Sequence, residues 1–117
     1  MKHGNANRIF GRTRNQRTAL MRGLALSLIE HEKIQTTEAK ARSLRPMIEK
    51  LITRGKSDSI HSRRLVAQTL GQPKNEMVKK LFEDISKRYA DRNGGYTRVI
   101  KLGETKAGRT EAYIELV

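Results

Sequence analysis

The chain has 117 residues, with 25 Lys or Arg against 12 Asp or Glu, a formal net charge of +13 at pH 7, and no cysteine. That length fits one domain, and the missing cysteines exclude disulfides and thiolate metal sites. The longest nearly apolar run, Leu24 to Ile29, is far short of the ~20 residues that span a bilayer. Such a charge weakens a compact state by self-repulsion, and a phosphate backbone removes the repulsion while releasing its own counterions. An anionic membrane would also do so, so charge alone does not choose the partner. The start has no apolar stretch of the secretory kind, and a cytoplasmic location is expected.

No acidic side chain precedes Glu30, whereas Lys2, Arg8, Arg12, Arg14, Arg17 and Arg22 all fall in that stretch. Residues 1–15 are predicted as an extended basic tail, too poor in apolar groups to offset its own ordering entropy. Residues 16–117 are predicted as one compact domain. A helix is expected over residues 16–31, where Leu20, Leu24 and Leu28 recur every four residues. Gly23 weakens it by ~1 kcal/mol relative to Ala, which suggests a close neighbour at that position. Residues 33–37 have a short β-like pattern. Thr37 then caps a second helix with the stripe Leu44, Ile48, Leu51 and Ile52. Pro46 is expected to kink or split that helix near Arg45, and Gly55 to stop it.

Ser57 or Asp58 is suited to cap a third helix, about residues 59–70, burying Ile60, Val66, Ala67 and Leu70. Asn75 is expected to cap a fourth, in which Val78, Leu81, Phe82, Ile85 and Tyr89 follow the 3.6 period. Asn93-Gly94-Gly95 breaks the chain. Residues 96–102 and 111–117 read as two strands of an antiparallel hairpin, with Ala112, Ile114 and Leu116 alternating against Glu111, Tyr113 and Glu115.

Three features carry candidate chemistry. The tail holds more Arg than Lys, and Arg forks onto phosphate oxygens where Lys is a point charge. Arg63-Arg64, with Arg42, Arg45, Arg54 and Lys56, form a second basic set. Read as a helix-turn-helix, the second and third helices place Arg63 and Arg64 on a recognition helix, but only Gln68, at its far end, suits an adenine edge. Tyr96 and Arg98, two apart on a strand, share a face and on an exposed sheet would hold RNA backbone or a stacked base. Aromatics make up 4% of the chain, too few for a stacking platform. Recognition is therefore expected through phosphate, 2′-hydroxyl and shape contacts. The histidines His3, His31 and His61 are scattered, and no phosphate-binding loop or nucleophile motif is present. A DNA-coating protein and a phosphate-handling enzyme remain as rival classes.

Met1-Lys2-His3, Gly11-Arg12, Arg17 and the Leu20–Ile29 stretch resemble the bacterial large-subunit ribosomal protein 17 family. So do Ile34-Gln35-Thr36-Thr37 leading into Lys40-Ala41-Arg42-Ser43-Leu44-Arg45-Pro46, and the pair Arg63-Arg64. The most specific stretches are Gly94-Gly95-Tyr96-Thr97-Arg98-Val99-Ile100-Lys101 and Ala112-Tyr113-Ile114-Glu115-Leu116-Val117. The resemblance runs over the whole chain in order. It implies an α+β fold of four helices packed on a small mixed sheet, which includes residues 33–37, with an N-terminal extension running into large-subunit ribosomal RNA. It also implies a structural role in the ribosome beside other large-subunit proteins, no catalysis, no cofactor, no metal and no small-molecule substrate. On this reading Lys2, His3, Arg8, Arg12, Arg14, Arg17 and Arg22 thread the tail among RNA helices. Thr36, Lys40, Arg63, Arg64, Tyr96, Arg98 and Lys101 anchor the domain.

Overall fold

A computed structural model describes residues 13–117. The first helix, α1 (Arg14–His31), begins two residues earlier than its apolar period suggests. The reason is a reciprocal cap: the Gln16 N–H donates to Thr13 Oγ1 (3.3 Å) and the Thr13 N–H donates to Gln16 Oε1 (3.1 Å). Arg14 and Asn15, expected in the tail, therefore belong to the helix.

At its other end α1 stops on Glu32, a non-glycine residue in the left-handed region (φ 63°), whose N–H donates to the Leu28 carbonyl at 2.7 Å. That conformation costs about 1–2 kcal/mol. Its surroundings hold it: the Glu32 carboxylate pairs with Arg88 and, at 3.3 Å, with Lys80, and its carbonyl accepts the Leu116 N–H at 2.9 Å.

Strand β1 (Lys33–Thr37) follows, then α2 (Glu38–Gly55), capped by Thr37. Pro46 does not split α2. The helix buries Ala41, Leu44, Ile48, Leu51 and Ile52 along one side, and that burial outweighs the ~3 kcal/mol a proline costs inside a helix. Gly55 is buried inside the last turn and has no positive φ. Its role is close approach: a Cβ there would lie 2.1 Å from Ser86 Oγ, which donates to the Ile52 carbonyl at 2.9 Å.

Helix α3 (Ile60–Thr69) is capped by Ser59, whose hydroxyl accepts the Ser62 N–H. This start leaves Ile60 72% exposed rather than in the core. The fourth helical run comprises α4 (Asn75–Lys80), a π-helical turn (Leu81–Ile85) and α5 (Ser86–Arg88). In the widened turn the Ser86 N–H reaches back to Leu81, and Leu81, Phe82, Ile85 and Ser86 are all buried against α2.

The sheet has the order β1-β3-β2, with β2 at Thr97–Glu104 and β3 at Thr110–Leu116. It is antiparallel throughout, not mixed. The hairpin makes β3 run opposite to β2. Strand β1 runs in the sense of β2 on the free side of β3, so it too meets β3 antiparallel. A register shift at Lys101/Gly103, with Gly103 at φ +93°, marks a β-bulge in β2. Ala112 and Ile114 face the helices and are fully buried, joining Leu28, Ile29, Leu44, Ile48, Ile52 and Phe82 in one core.

Glu49 of α2 fixes the entry to β2. Its carboxylate accepts the Thr97 hydroxyl (2.7 Å), the Gly95 N–H (3.2 Å) and Arg45 Nε (3.2 Å). Burial pushes its pKa up, but those donors together outweigh it and hold the group below 4.5. Glu32, Glu38 and Asp58 are also lowered, mainly by hydrogen bonds from Arg88, Arg42 and Arg63 respectively.

Because these folded-state pKa values are depressed, the stability they contribute is complete above the unfolded carboxylate range. It is lost as pH falls through the folded values. Melting against pH is expected to show a steep loss below about pH 4.5, and Glu49→Gln to cost about 1–2 kcal/mol at neutral pH and flatten that acid limb. Gly55→Ala is expected to cost about 2 kcal/mol by displacing the Ser86 hydroxyl. Gly23 is exposed with nothing within 4 Å of an added Cβ, so Gly23→Ala is expected to stabilise by up to ~1 kcal/mol. Thermal melts of the three variants check these signs.

Candidate nucleic-acid interface

On α1, Arg14 and Arg17 are three residues apart and share a side, and Arg22, about 140° round the helix from Arg17, flanks that side further along. On α2 the sequence Arg42, Pro46, Lys50, Arg54 repeats every four residues, opposite the buried stripe. Both sets line an open groove of about 850 Å³, to which Thr69 of α3 also contributes. Six cations line it: Arg14, Arg17, Arg22, Arg42, Lys50 and Arg54. None of its lining residues is acidic.

These cations differ in what already holds them. Arg22 is a strut: its Nε and Nη2 donate to the Thr69 and Gln68 carbonyls (3.0 and 3.3 Å), placing positive charge at the C-terminal end of α3. Arg42 pairs with Glu38 at 2.9 Å. Arg14, Arg17, Lys50 and Arg54 stand in no ion pair among the described residues. Arg17 Nε is buried with no hydrogen-bond partner among those residues.

The other sequence-predicted residues are scattered over different surfaces. Lys2, His3, Arg8 and Arg12 lie outside the described residues. Thr36 sits half-buried on β1 opposite Ala112, and Lys40 is in the first turn of α2, its N–H donating to Thr37 Oγ1. Arg98 pairs across the strands with Glu115 at 2.9 Å, and Lys101 lies 3.5 Å from Glu38. Both side chains are more than half exposed, and exposed pairs of this kind exchange for other partners at little cost.

Two readings change. Tyr96 is not on an exposed face beside Arg98. It precedes β2, is 1% exposed, packs on Tyr89 (ring centroids 5.3 Å apart), and accepts a hydrogen bond from Thr53 at 3.3 Å. Lys56, beside the phenol, lowers its pKa. The alternation fails here because the chain bends at Gly94-Gly95 and drops the ring under α2. The paired arginines also separate. Arg63 grips Asp58 with both Nε (2.7 Å) and Nη2 (2.8 Å), reaches Glu83 at 3.5 Å, and lies over the Phe82 ring at 5.2 Å. Arg64 is exposed with no such partner among the described residues. A recognition helix built on both residues is therefore not formed. Lys50 is the groove residue that the sequence reading passed over, although its spacing from Arg42 and Arg54 was the available signal.

No group of three metal-ligating side chains occurs among the described residues, and none of their helices is long and apolar enough to cross a membrane. The family model described as ribosomal protein L17 matches residues 20–117. The chain belongs to that family. The large ribosomal subunit protein bL17 of Thermodesulfovibrio yellowstonii is 49% identical, with 100% of this chain and 87% of that protein covered. The bL17 of an Exiguobacterium species is 50% identical over 92% of this chain and 96% of its own length. That of Gemmatimonas aurantiaca is 48% identical over 100% and 98%. Membership agrees with the α+β fold and with the resemblance carried by the stretches around Thr36 and Arg98.

The division between Arg63 and Arg64 has a direct consequence. Arg63→Ala is expected to lower the melting temperature by several degrees by orphaning Asp58 and uncovering Phe82, whereas Arg64→Ala is expected to leave it nearly unchanged. Scanning calorimetry of the two variants at neutral pH distinguishes them.

Proposed function

We propose that this chain is a structural, non-catalytic component of the large ribosomal subunit in the cytoplasm, and that it binds and stabilises folded large-subunit ribosomal RNA. Family membership supports the assembly role, since the relatives are large-subunit proteins by name. The observation that carries RNA binding is the uneven pairing of charge. Arg14, Arg17, Lys50, Arg54 and Arg64 have no carboxylate partner among the described residues, while most of the acids are already engaged with other Lys and Arg side chains. Their counter-charge has to come from outside the chain, and a phosphate backbone supplies it at the spacing of a helix surface.

The mechanism is neutralisation. RNA helices that repel one another are held close when guanidinium and ammonium groups sit between their phosphates. Lys2, His3, Arg8 and Arg12 extend that role along the N-terminal segment. Thr36, Arg98 and Lys101 on the sheet, and Lys40 at the start of α2, add contacts. Neighbouring large-subunit proteins are the second class of partner, and the exposed Ile100 and Leu102 are surfaces they would cover.

Cosedimentation tests this reading. The protein is expected to stay with large subunits through a high-salt wash, and release into the free fraction, or equal retention on the nucleoid, counts against it. Removing residues 2–12 while keeping the Thr13 cap is expected to leave the melting temperature unchanged and to weaken incorporation into subunits.

A further inference from the structure

Resting on the RNA-binding reading, we infer that the groove between α1 and α2 is a seat for one phosphodiester strand, with Arg17, Lys50 and Arg54 as its phosphate contacts. The groove joins Arg17 of α1 to Lys50 and Arg54 of α2, which stand more than 30 positions further along the chain. Three observations carry the assignment.

First, its charge has one sign. Six cations face a space with no acidic lining residue, and two of them, Arg22 and Arg42, are already neutralised or fixed by the protein. The remainder form an unbalanced row. An acid-free basic segment such as residues 1–12 is repelled from it, and a polyanion is drawn in.

Second, its shape suits a strand better than an isolated ion. From Arg14 to Arg22 the α1 wall runs about 12 Å, and from Arg42 to Arg54 the α2 wall about 18 Å, at 1.5 Å per residue. Several consecutive nucleotides fit that length. The floor is apolar, with Met21, Pro46, Met47 and Leu51, and it carries no aromatic ring. It offers ribose faces a dry contact and offers bases nothing to stack on. Thr18 and Thr69 also line the groove; their hydroxyls donate to the Arg14 and Leu65 carbonyls (2.9 and 3.0 Å), which leaves each oxygen able to accept from a 2′-hydroxyl, a group RNA has and DNA lacks.

Third, Arg17 is held ready. Its Nε is buried and lacks a hydrogen-bond partner among the described residues. A buried guanidinium donor left unpaired costs stability, and a phosphate oxygen entering the groove satisfies it with a charge-assisted bond.

The test uses the full chain and folded, transcribed large-subunit ribosomal RNA, with affinity measured from low to moderate salt. The triple variant Arg17→Gln, Lys50→Gln, Arg54→Gln is expected to lower the log–log salt slope by about two, at roughly 0.7–0.9 per lost phosphate contact. A control of equal charge loss, Lys74→Gln, Lys87→Gln, Lys106→Gln, is expected to change it by less than one. Arg17→Lys is expected to keep the slope while weakening affinity about fivefold, because the charge remains and the Nε donor is gone. Circular dichroism melts confirm that each variant is folded. Equal slope losses in the groove and control variants overturn the groove assignment, as does an unchanged slope in the groove variant. An Arg17→Lys protein that binds as tightly as the parent overturns the role of Nε. Equal loss of binding to duplex DNA and to the RNA overturns the choice of an RNA strand. If the parent chain itself fails to bind folded RNA above a duplex competitor, the broader reading fails instead.

Discussion

Scarcity of negative charge governs this molecule. Twelve carboxylates serve twenty-five Lys and Arg residues, and all but Glu30, Glu76, Asp91 and Glu104 stand in an ion pair with a Lys or Arg among the described residues. Several lie where elements meet. Glu32 joins the end of α1 to the fourth helical run through Arg88 and Lys80, Glu49 holds the start of β2 against α2, and Glu83 fastens α3 to that run through Arg63, which Asp58 holds in place. The acids thus hold the domain together from within. Surface pairs are individually weak, but Glu49 also accepts the Gly95 N–H and the Thr97 hydroxyl, for which no other acceptor is seen among the described residues.

The same allocation leaves one side of the protein uncompensated. Where α1 and α2 meet there is no acidic residue to spend, and the cations there face outward. A domain with this arrangement is stable enough to fold around its own carboxylates and yet carries a charged face that only another molecule neutralises. Folding and binding therefore draw on different parts of one charge inventory. Arg63 and Arg64 show this at adjacent positions: the first is committed to Asp58, the second to solvent.

Packing makes the division possible. Helix α2 is the centre of the fold, touching α1, α3, the fourth helical run and all three strands. Its buried side runs unbroken past Pro46, and Gly55 lets Ser86 close over its last turn. Its opposite side is left to Arg42, Lys50 and Arg54. A helix this heavily packed keeps those three side chains on a rigid support, which fixes their spacing.

Much of the architecture was legible from pattern alone. The apolar periods of residues 20–29, 44–52 and 78–89 marked helices, and the alternation from Glu111 to Leu116 marked the strand that proved central, because burial of one face imposes those periods whatever the tertiary details. The family stretches around Thr36 and Arg98 were equally readable. What local pattern did not decide was direction and company. The antiparallel placing of β1 depends on which side of β3 remains free, and Tyr96 went under α2 because two glycines turn the chain just before it. Arg63 left the basic set because Asp58, just ahead of α3, turns back onto it, and because Glu83 and Phe82 come within reach once α3 packs on the fourth helical run. The groove itself unites Arg17 with Lys50 and Arg54, an assembly of distant residues that exists only once two helices lie side by side.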